Sequence, residues 1–315
     1  MIVVPYKLIP VISIVGPTAS GKTELAVNLA LKFGGEIISA DSMQIYKEFE
    51  ISTAKPDEAQ LKVVPHHLLD FLSITEEFSV ANFTELARKC IENIYSRGKL
   101  PFLVGGTGLY IDSLLKNIDF ESKINKIKFD QFQNLNNEEL YEMLKKIDPV
   151  SAKKIHENDT RRLRRAIEFF YTSGYPISKQ IDRSKKAKPL YKICKIGLDF
   201  KNRDILYDRI NRRVDKMFEK GIVEEVRKLS QIKFSKTAGA AIGYKEILPF
   251  IMGECSEMEA SENLKKATRN YAKRQLTWFR RDKEINWIYV DEYSDFFEII
   301  KIAKNIIKNA NLMNI

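Results

Sequence analysis

Residues 11–25 read VISIVGPTASGKTEL, an apolar run followed by a glycine-bounded loop and a Lys-Thr pair. Residues 16–23 match the pattern G-x-x-x-x-G-K-[ST] in full. The run before the loop has the continuous apolar character of a strand buried on both faces. After the loop, Leu25, Leu29 and Phe33 recur every four residues, as they do in helices. The stretch therefore predicts a buried strand, a phosphate-binding loop and a helix, in that order.

The predicted phosphate-binding loop has a chemical reason for each fixed position. Its glycines let backbone N–H groups approach phosphate oxygens, and the helix that follows adds the positive end of its dipole. Lys22 supplies a mobile cation, and the Thr23 hydroxyl is a candidate ligand of Mg²⁺ or of a phosphate oxygen. The candidate residues for binding a diphosphate or nucleotide are Gly16, Pro17, Thr18, Ala19, Ser20, Gly21, Lys22 and Thr23.

Further strand-like runs follow in the first third of the chain, EIISAD at 36–41 and PFLVGG at 101–106. Strands that alternate with helices predict a parallel sheet with right-handed crossovers. Ligands bind such sheets at the carboxyl ends of the strands, so we expect Gly16, Asp41 and the turn at 105–108 on one edge. The predicted fold class is α/β, a P-loop-type parallel sheet core flanked by helices, with a mainly helical insertion domain.

The pattern changes between about 118 and 190, where strand runs give way to the helical stretches NEELYEMLKKIDP and TRRLRRAIEFFYTSG. YKICKIGLDF at 191–200 predicts a return to the sheet. Long helices are predicted at 203–229, 256–281 and about 293–309. The predicted domains are a catalytic core of residues 1–117 and 191–315, which includes the C-terminal helices, and a helical insertion of residues 118–190.

Positive charge is concentrated in two segments of a chain whose formal net charge is +10. Residues 151–190 hold 11 Lys and Arg against 4 Asp and Glu, and residues 265–283 hold 8 against 1. Such clusters indicate a polyanionic partner. A solvated lysine face is the alternative for either segment taken alone.

The composition excludes several classes of protein. With 44% hydrophobic and 30% charged residues, the chain is typical of globular proteins rather than disordered ones. It contains no apolar run of the ~20 residues that a membrane span needs, and its N-terminus lacks a signal-peptide pattern. Cys90, Cys194 and Cys255 are isolated, which predicts unpaired thiols in a reducing compartment. We therefore expect a cytoplasmic monomer without a membrane partner.

Coupled ATP hydrolysis is disfavoured by a missing feature. P-loop ATPases usually carry a second apolar strand that ends in an acidic ligand of Mg²⁺. The candidate strand at 101–106 ends in glycine, and the strand-end carboxylate of this region is Asp41, early in the chain. Transfer of a group from a phosphate-bearing small molecule is therefore favoured.

At ISADSMQIYKEFEISTAKP (38–56), after this loop, the sequence resembles the tRNA dimethylallyltransferase family, also called tRNA isopentenyltransferases, of bacterial type. The resemblance continues in LVGGTGLYIDSLL (103–115), DPVSAKKIHENDTRRLRRAIEFFYTSG (148–174) and TRNYAKRQLTWFRR (268–281). Several blocks in the same order are more specific than any single motif.

The resemblance implies transfer of a dimethylallyl group from dimethylallyl diphosphate to the exocyclic amine of the adenosine 3′ of the anticodon in tRNA. It implies that the loop holds the donor's diphosphate, that Mg²⁺ is the cofactor, and that the anticodon stem-loop of tRNA is the partner. The implied catalytic residues are Asp41 as the base, Thr23, and Arg213 in the family's RI..RV stretch. The alternative for Asp41 is a helix N-cap or a ligand of Mg²⁺ through water.

The tRNA-binding candidates fall into two groups. By resemblance, the segment Asp41, Ser42, Met43 and Gln44 contacts tRNA, and so does Thr107, for which a turn-forming role is the alternative. The Gln44 amide has the chemistry to pair with an adenine edge. The second group lies on the basic helices and comprises Arg161, Arg162, Leu163, Arg164, Arg165, Lys273 and Arg280. His66 and His67 are predicted to be structural.

Two rival functions share some of these features. A prenyltransferase acting on free AMP, ADP or ATP would use the same loop and Asp41, but it would need neither the basic segments nor the insertion. A P-loop kinase or a nucleotide-dependent RNA-binding protein would consume a γ-phosphate, and the absence of a second acidic strand disfavours it. Prenyl transfer to tRNA is therefore the favoured hypothesis.

Overall fold

The computed structural model describes residues 8–118, 132, 134–186 and 188–312. The chain divides into two compact units, one formed by Met1–Leu114 with Leu190–Ile315 and the other by Leu115–Pro189. The sequence had placed these boundaries at 117/118 and 190/191. We call the first unit the core and the second the helical unit.

The core contains a six-stranded sheet in which every neighbouring pair of strands is parallel. The strands are β1 (Ile9–Val15), β2 (Gly35–Ser39), β3 (His66–His67), β4 (Leu100–Gly105), β5 (Tyr191–Asp199) and β6 (Asn286–Tyr289). Their order is β3-β2-β4-β1-β5-β6, with Ile14 paired to both Val104 and Ile196. This sheet and its flanking helices confirm the predicted fold class.

Helices cover both faces of the sheet. The core's helices are α1 (Lys22–Phe33), α2 (Glu58–Val63), α3 (Val80–Ser96), α4 (Gly108–Leu115), α9 (Arg203–Glu219), α10 (Ile222–Leu229), α11 (Tyr244–Ile251), α12 (Glu257–Phe279) and α13 (Phe296–Asn309). On one face, Ile12 and Ile14 of β1 pack with Leu25 of α1 and Ile299 of α13. Helix α3, with Phe83 fully buried, contacts β1, β2 and β4. The site is thus carried by a sheet that is buried on both sides.

The helical unit contains α5 (Asn137–Ile147), α6 (Pro149–Ala152), α7 (Thr160–Ser173) and α8 (Ile177–Lys186). Its buried cluster includes Leu140 and Leu144 of α5 and Leu163 and Ile167 of α7. These residues recur every three or four positions, so one face of each helix is apolar. The predicted helix at 160–174 is confirmed, and Gly174 ends it in the left-handed conformation with φ +76°.

One helix prediction was wrong in extent. The sequence indicated a single helix at 203–229, but the structure has two, α9 and α10, separated at Gly221. Gly221 has φ +90°, which side chains with a Cβ rarely adopt, and it allows the chain to turn there. The turn brings Val226 of α10 into a buried cluster with Val214 of α9 and Leu264 of α12.

Among the described residues, no helix combines the length and apolarity needed to cross a bilayer. Cys90, Cys194 and Cys255 are free thiols, which confirms the prediction that they are unpaired.

Candidate active site

The phosphate loop lies between β1 and α1, as predicted. Gly16 has no room for a side chain, because a Cβ there would lie 2.6 Å from the carbonyl oxygen of Leu198. The Lys22 ammonium donates to the carbonyl of Pro17 at 2.6 Å, so its side chain is folded back over the loop. Arg209 Nε of α9 donates to the carbonyl of Ala19 at 2.9 Å. A neighbouring helix therefore helps to hold the loop in shape.

Asp41 follows the carboxyl end of β2. Its Oδ1 accepts hydrogen bonds from the backbone N–H groups of Met43 at 2.9 Å and Gln44 at 3.4 Å. These contacts form a turn held by the side chain and not the N-cap of a helix. Two backbone donors on one oxygen fix the direction in which the carboxylate faces.

A cavity of about 510 Å³ lies at the carboxyl edge of the sheet, within the core. It is lined by the loop residues Thr18 to Thr23, by Asp41, Ser42, Met43 and Gln44, and by Arg213 of α9. Gly105 and Gly106, at the end of β4, also line it. This confirms the expectation that the loop, Asp41 and the glycine turn share one edge.

Cationic side chains line the cavity, and several buried polar atoms in its walls have no hydrogen-bond partner within the part of the chain that the structure describes. Burial and the neighbouring Arg213 guanidinium lower the pKa of Lys22 to about 7, while Asp41 acts in the opposite direction. Burial also lowers the pKa of Arg213, again opposed by Asp41. Among the described residues, Ser20 Oγ, Ser52 Oγ, His66 Nε2 and Arg213 Nε are buried in the walls of this cavity without a hydrogen-bond partner. Buried polar atoms of this kind mark a site that a polar ligand completes.

Some predicted tRNA-binding residues already have partners within the core. The Gln44 amide accepts from Ser39 Oγ at 3.3 Å and donates to the carbonyls of Thr53 and Ala54. Thr107 Oγ1 accepts from the Ser42 backbone N–H at 3.1 Å, a turn-forming contact outside the cavity wall.

Two predicted residues on α12 lie outside the cavity wall as well. Arg280 is half-exposed and forms an ion pair with the buried Asp199, with Nη2 and Oδ2 2.7 Å apart. Lys273 is exposed, and its ammonium lies 5.6 Å from the centre of the Tyr207 ring. Part of the charge in the second basic segment is therefore compensated internally.

The basic stretch of α7 belongs to the helical unit. Arg161, Arg162 and Arg165 are exposed, and Arg164 is half-buried. The prediction that Leu163 contacts tRNA was wrong, because its side chain is fully buried in the apolar cluster of the helical unit, which includes residues of α5. On a helix, Leu163 falls on the face opposite the exposed Arg161 and Arg165.

His67 is structural, since its Nε2 lies 2.8 Å from the buried carboxylate of Glu36. His66 Nδ1 lies 2.8 Å from the carbonyl oxygen of Val64, but the same ring also lines the cavity. The sequence prediction for His66 was therefore incomplete.

Sequence reasoning missed a third wall of the cavity, formed by Tyr271, Arg274 and Gln275 of α12. The overlooked signal was Gln275, a polar residue four positions after Tyr271 on the same face and only 5% exposed. A buried glutamine among apolar positions indicates specific hydrogen bonds.

Fold and site together define a class: an α/β protein whose phosphate loop, paired cations and strand-end carboxylate face one cavity, as a group-transfer enzyme requires. The IPP transferase family matches residues 44–282, and the Isopentenyl transferase family matches residues 9–77. The first match covers most of the chain, and the protein therefore belongs to the IPP transferase family.

Known relatives are similar to this protein in sequence along nearly the whole chain. A tRNA dimethylallyltransferase of Thermoanaerobacter sp. (strain X514) is 49% identical over 308 residues, which is 95% of this chain and 97% of the relative. One from Acetivibrio thermocellus is 49% identical over 301 residues, covering 93% and 96%.

Solved structures of other proteins are similar to this protein in fold and in sequence. The crystal structure of the full-length tRNA isopentenylpyrophosphate transferase from Bacillus halodurans has a TM-score of 0.72 and 40% identity, covering 96% of both chains. A eukaryotic dimethylallyltransferase described as acting on tRNA has a TM-score of 0.82 and 31% identity, covering 95% of this chain and 80% of its own.

Proposed function

We propose that this protein transfers a dimethylallyl group from dimethylallyl diphosphate to the exocyclic amine of the adenosine 3′ of the anticodon in tRNA, releasing diphosphate. The observation that carries the proposal is the shared cavity, where Lys22 and Arg213 face the strand-end carboxylate of Asp41. The names of the relatives, tRNA dimethylallyltransferases at 49% identity, supply the donor group and the acceptor.

Asp41 acts as the base in this proposal. The exocyclic amine of adenine is a weak nucleophile because its lone pair is delocalised into the ring. As the amine nitrogen bonds to the first carbon of the prenyl group, the bond from that carbon to the diphosphate oxygen breaks and the amine releases a proton. A carboxylate within hydrogen-bond reach accepts that proton. The two backbone N–H groups on Asp41 Oδ1 keep the carboxylate oriented for this task.

The phosphate loop binds the leaving group. Negative charge develops on the diphosphate as the carbon–oxygen bond breaks, and preorganised cations and N–H donors lower the barrier most effectively in such a site. Lys22 and Arg213 are the partly buried cations of this cavity, while the loop's backbone and the start of α1 provide N–H donors. Ser20 Oγ and Arg213 Nε, buried without partners, have capacity for phosphate oxygens.

The residues also fit a magnesium ion. Mg²⁺ keeps several waters and is often bound by one or two protein oxygens together with substrate phosphates. Thr23 lines the cavity at the start of α1, and Asp41 faces the same space. In this proposal the Thr23 hydroxyl would hold a Mg²⁺ ion, which would supply positive charge to stabilise the leaving diphosphate.

The first experiment is a transfer assay with radiolabelled dimethylallyl diphosphate and Mg²⁺, in which unmodified tRNA competes with AMP and ATP. We expect label in tRNA alone. Label in AMP or ATP would replace this proposal with a free-nucleotide prenyltransferase. Consumption of ATP without transfer of label would mean that the loop serves a kinase.

Replacing the base tests the role of Asp41. Asp41→Ala removes the proton acceptor, so we expect kcat to fall by at least about 100-fold, in line with the usual contribution of general base catalysis. Binding of tRNA, measured by filter retention, should change little because Asp41 is one contact among many. Asp57→Ala, an exposed cap of α2, serves as the control. Equal losses of binding and turnover would contradict a base role.

A further inference from the structure

The side-chain amide of Gln275 joins two loops that follow different strands. Its Oε1 accepts a hydrogen bond from the Thr18 backbone N–H at 2.9 Å, in the phosphate loop after β1. Its Nε2 donates to the carbonyl of Gly106 at 3.1 Å, in the turn after β4. Because a backbone N–H only donates and a carbonyl only accepts, these partners determine which end of the amide carries the oxygen.

Close packing around the glycine turn holds the Gln275 side chain in this position. A Cβ at Gly106 would lie 2.0 Å from Gln275 Nε2, and one at Gly108 would lie 2.3 Å from the Trp278 ring. Trp278 Nε1 also donates to Asp112 Oδ2 at 3.0 Å, at the next turn of α4. Helix α12 therefore packs against the glycine turn, and the buried amide of Gln275 connects that turn to the phosphate loop by hydrogen bonds.

The turn that Gln275 holds is also tied to the strand end that carries Asp41. Thr107, next to Gly106, donates its backbone N–H to the carbonyl of Ala40 at 3.2 Å. Its Oγ1 accepts from the Ser42 N–H at 3.1 Å. Asp41 lies between these two contacts in the sequence. The chain of hydrogen bonds thus runs from the phosphate loop through Gln275 and Thr107 to both neighbours of Asp41.

We propose that Gln275 is a positioning residue that sets the distance between the loop holding the donor's diphosphate and the carboxylate that receives the amine proton. This inference rests on the proposed function. Transfer requires the amine nitrogen about 3–3.5 Å from the prenyl carbon, and a shift of about 1 Å costs on the order of 100-fold in rate. Gln275 exchanges no proton and touches neither reacting atom. Its loss therefore slows transfer while each substrate still binds its own half of the site.

The decisive variant is Gln275→Glu, which keeps the shape of the side chain. Its carboxylate accepts from the Thr18 N–H but cannot donate to the carbonyl of Gly106. Once protonated, the introduced carboxyl donates again, and burial raises its pKa toward the range of the assay. The titratable or charged groups that line the same cavity include Tyr271 and Arg274 on α12. Across the cavity they include Lys22, Asp41, His66 and Arg213.

We expect Gln275→Glu to lower kcat by about tenfold or more at pH 8.5. In Gln275→Met, which adds no charge beside the phosphate loop, the dissociation constants for dimethylallyl diphosphate, from calorimetry without tRNA, and for tRNA, from filter retention, should stay within about threefold of wild type. The ratio of Gln275→Glu to wild-type kcat at matched pH should rise as the pH falls to 5.5. Gln275→Met, which has no proton to regain, should show a pH-independent deficit.

Thr277→Ala is the matched control, since Thr277 is exposed two residues away on the same helix and should leave every parameter unchanged. A kcat of Gln275→Glu close to wild type would overturn the inference. So would a deficit in Gln275→Met that follows weakened substrate binding, or a deficit in Gln275→Glu that does not vary with pH. Absence of transfer by the wild-type protein would instead overturn the proposed function, so the two failures are distinguishable.

Discussion

At the scale of single residues, Lys22 is a cavity side chain whose pKa is lowered close to neutral pH. Burial and the nearby Arg213 bring the pKa of its ammonium down to about 7, so the free protein holds this cation in a partly deprotonated state near neutral pH. A bound diphosphate places negative charge beside it and raises that pKa again. We therefore expect donor binding to be coupled to proton uptake by Lys22.

The sign of this coupling is testable. Above pH 7 free Lys22 is mostly neutral and must gain a proton when the diphosphate binds, so affinity should fall as the pH rises through 7 to 9. Calorimetry with diphosphate at pH 8, in buffers of different ionisation enthalpy, should record an uptake approaching one proton per site. At pH 6 the uptake should be small.

Lys22→Arg is the control for this measurement. A guanidinium stays protonated throughout the range, so its variant should lose the extra uptake, while the proton balance of the diphosphate itself is unchanged. Identical uptake in both proteins would contradict the assignment of the proton to Lys22.

At the scale of elements, α7 separates its two faces completely. Leu163 and Ile167 are buried in the helical unit, whereas Arg161 and Arg165, four residues apart, are exposed on the other side. An exposed arginine row with few acidic neighbours is suited to phosphates, which position RNA without reading its sequence. We therefore expect the helix to contribute affinity for tRNA rather than sequence specificity.

Removing that charge should weaken binding in a salt-dependent way. Arg161→Gln and Arg165→Gln should each lower tRNA affinity at low salt and reduce the slope of log K against log salt by about 0.7–0.9. The measurement is filter retention at several salt concentrations. Lys308→Gln removes the same charge at the end of α13, outside both basic segments, and should leave affinity and slope unchanged. An unchanged slope in both arginine variants would take α7 off the tRNA interface.

At the scale of the whole molecule, a buried carboxylate joins three elements of the core. Glu36 of β2 is 3% exposed and binds both terminal nitrogens of Arg97, at 2.5 and 2.7 Å, and His67 at 2.8 Å. These contacts, those with Arg97 first, lower the pKa of Glu36 to about 2. The ionised group thus ties β2 to the end of α3 and to the edge strand β3.

The lowered pKa predicts how stability responds to acid. The contribution of Glu36 is complete above its unfolded pKa of about 4.5 and is lost as the pH falls toward 2, an effect on the order of 3 kcal/mol. Denaturant unfolding of Glu36→Gln should give a lower free energy of unfolding at pH 7 and a smaller loss between pH 5 and 2.5 than wild type. Glu85→Gln, an exposed partner of Lys89, should show no measurable change. Parallel acid profiles for Glu36→Gln and wild type would contradict this role.

The phosphate loop, the parallel sheet, the helical insertion and the Asp41 strand end followed from the sequence alone. These features are local, because a glycine pattern, an apolar run or a helical period predicts the structure of the few residues that form it. The family resemblance could likewise be stated from ordered motifs. The same periodicity places Arg161 and Leu163 on opposite faces of their helix, which agrees with the exposure of Arg161 and the burial of Leu163.

Only the tertiary structure decided what lies across the cavity from the loop. Gln275 and Tyr271 reach the site because α12 packs against the glycine turn, more than 160 residues away in the chain. The break at Gly221 and the pairing of Arg280 with Asp199 depend equally on packing between distant elements. Sequence patterns report how a segment prefers to fold on itself. Which buried polar groups meet is determined by long-range packing, because their desolvation must be offset by partners that no local pattern contains.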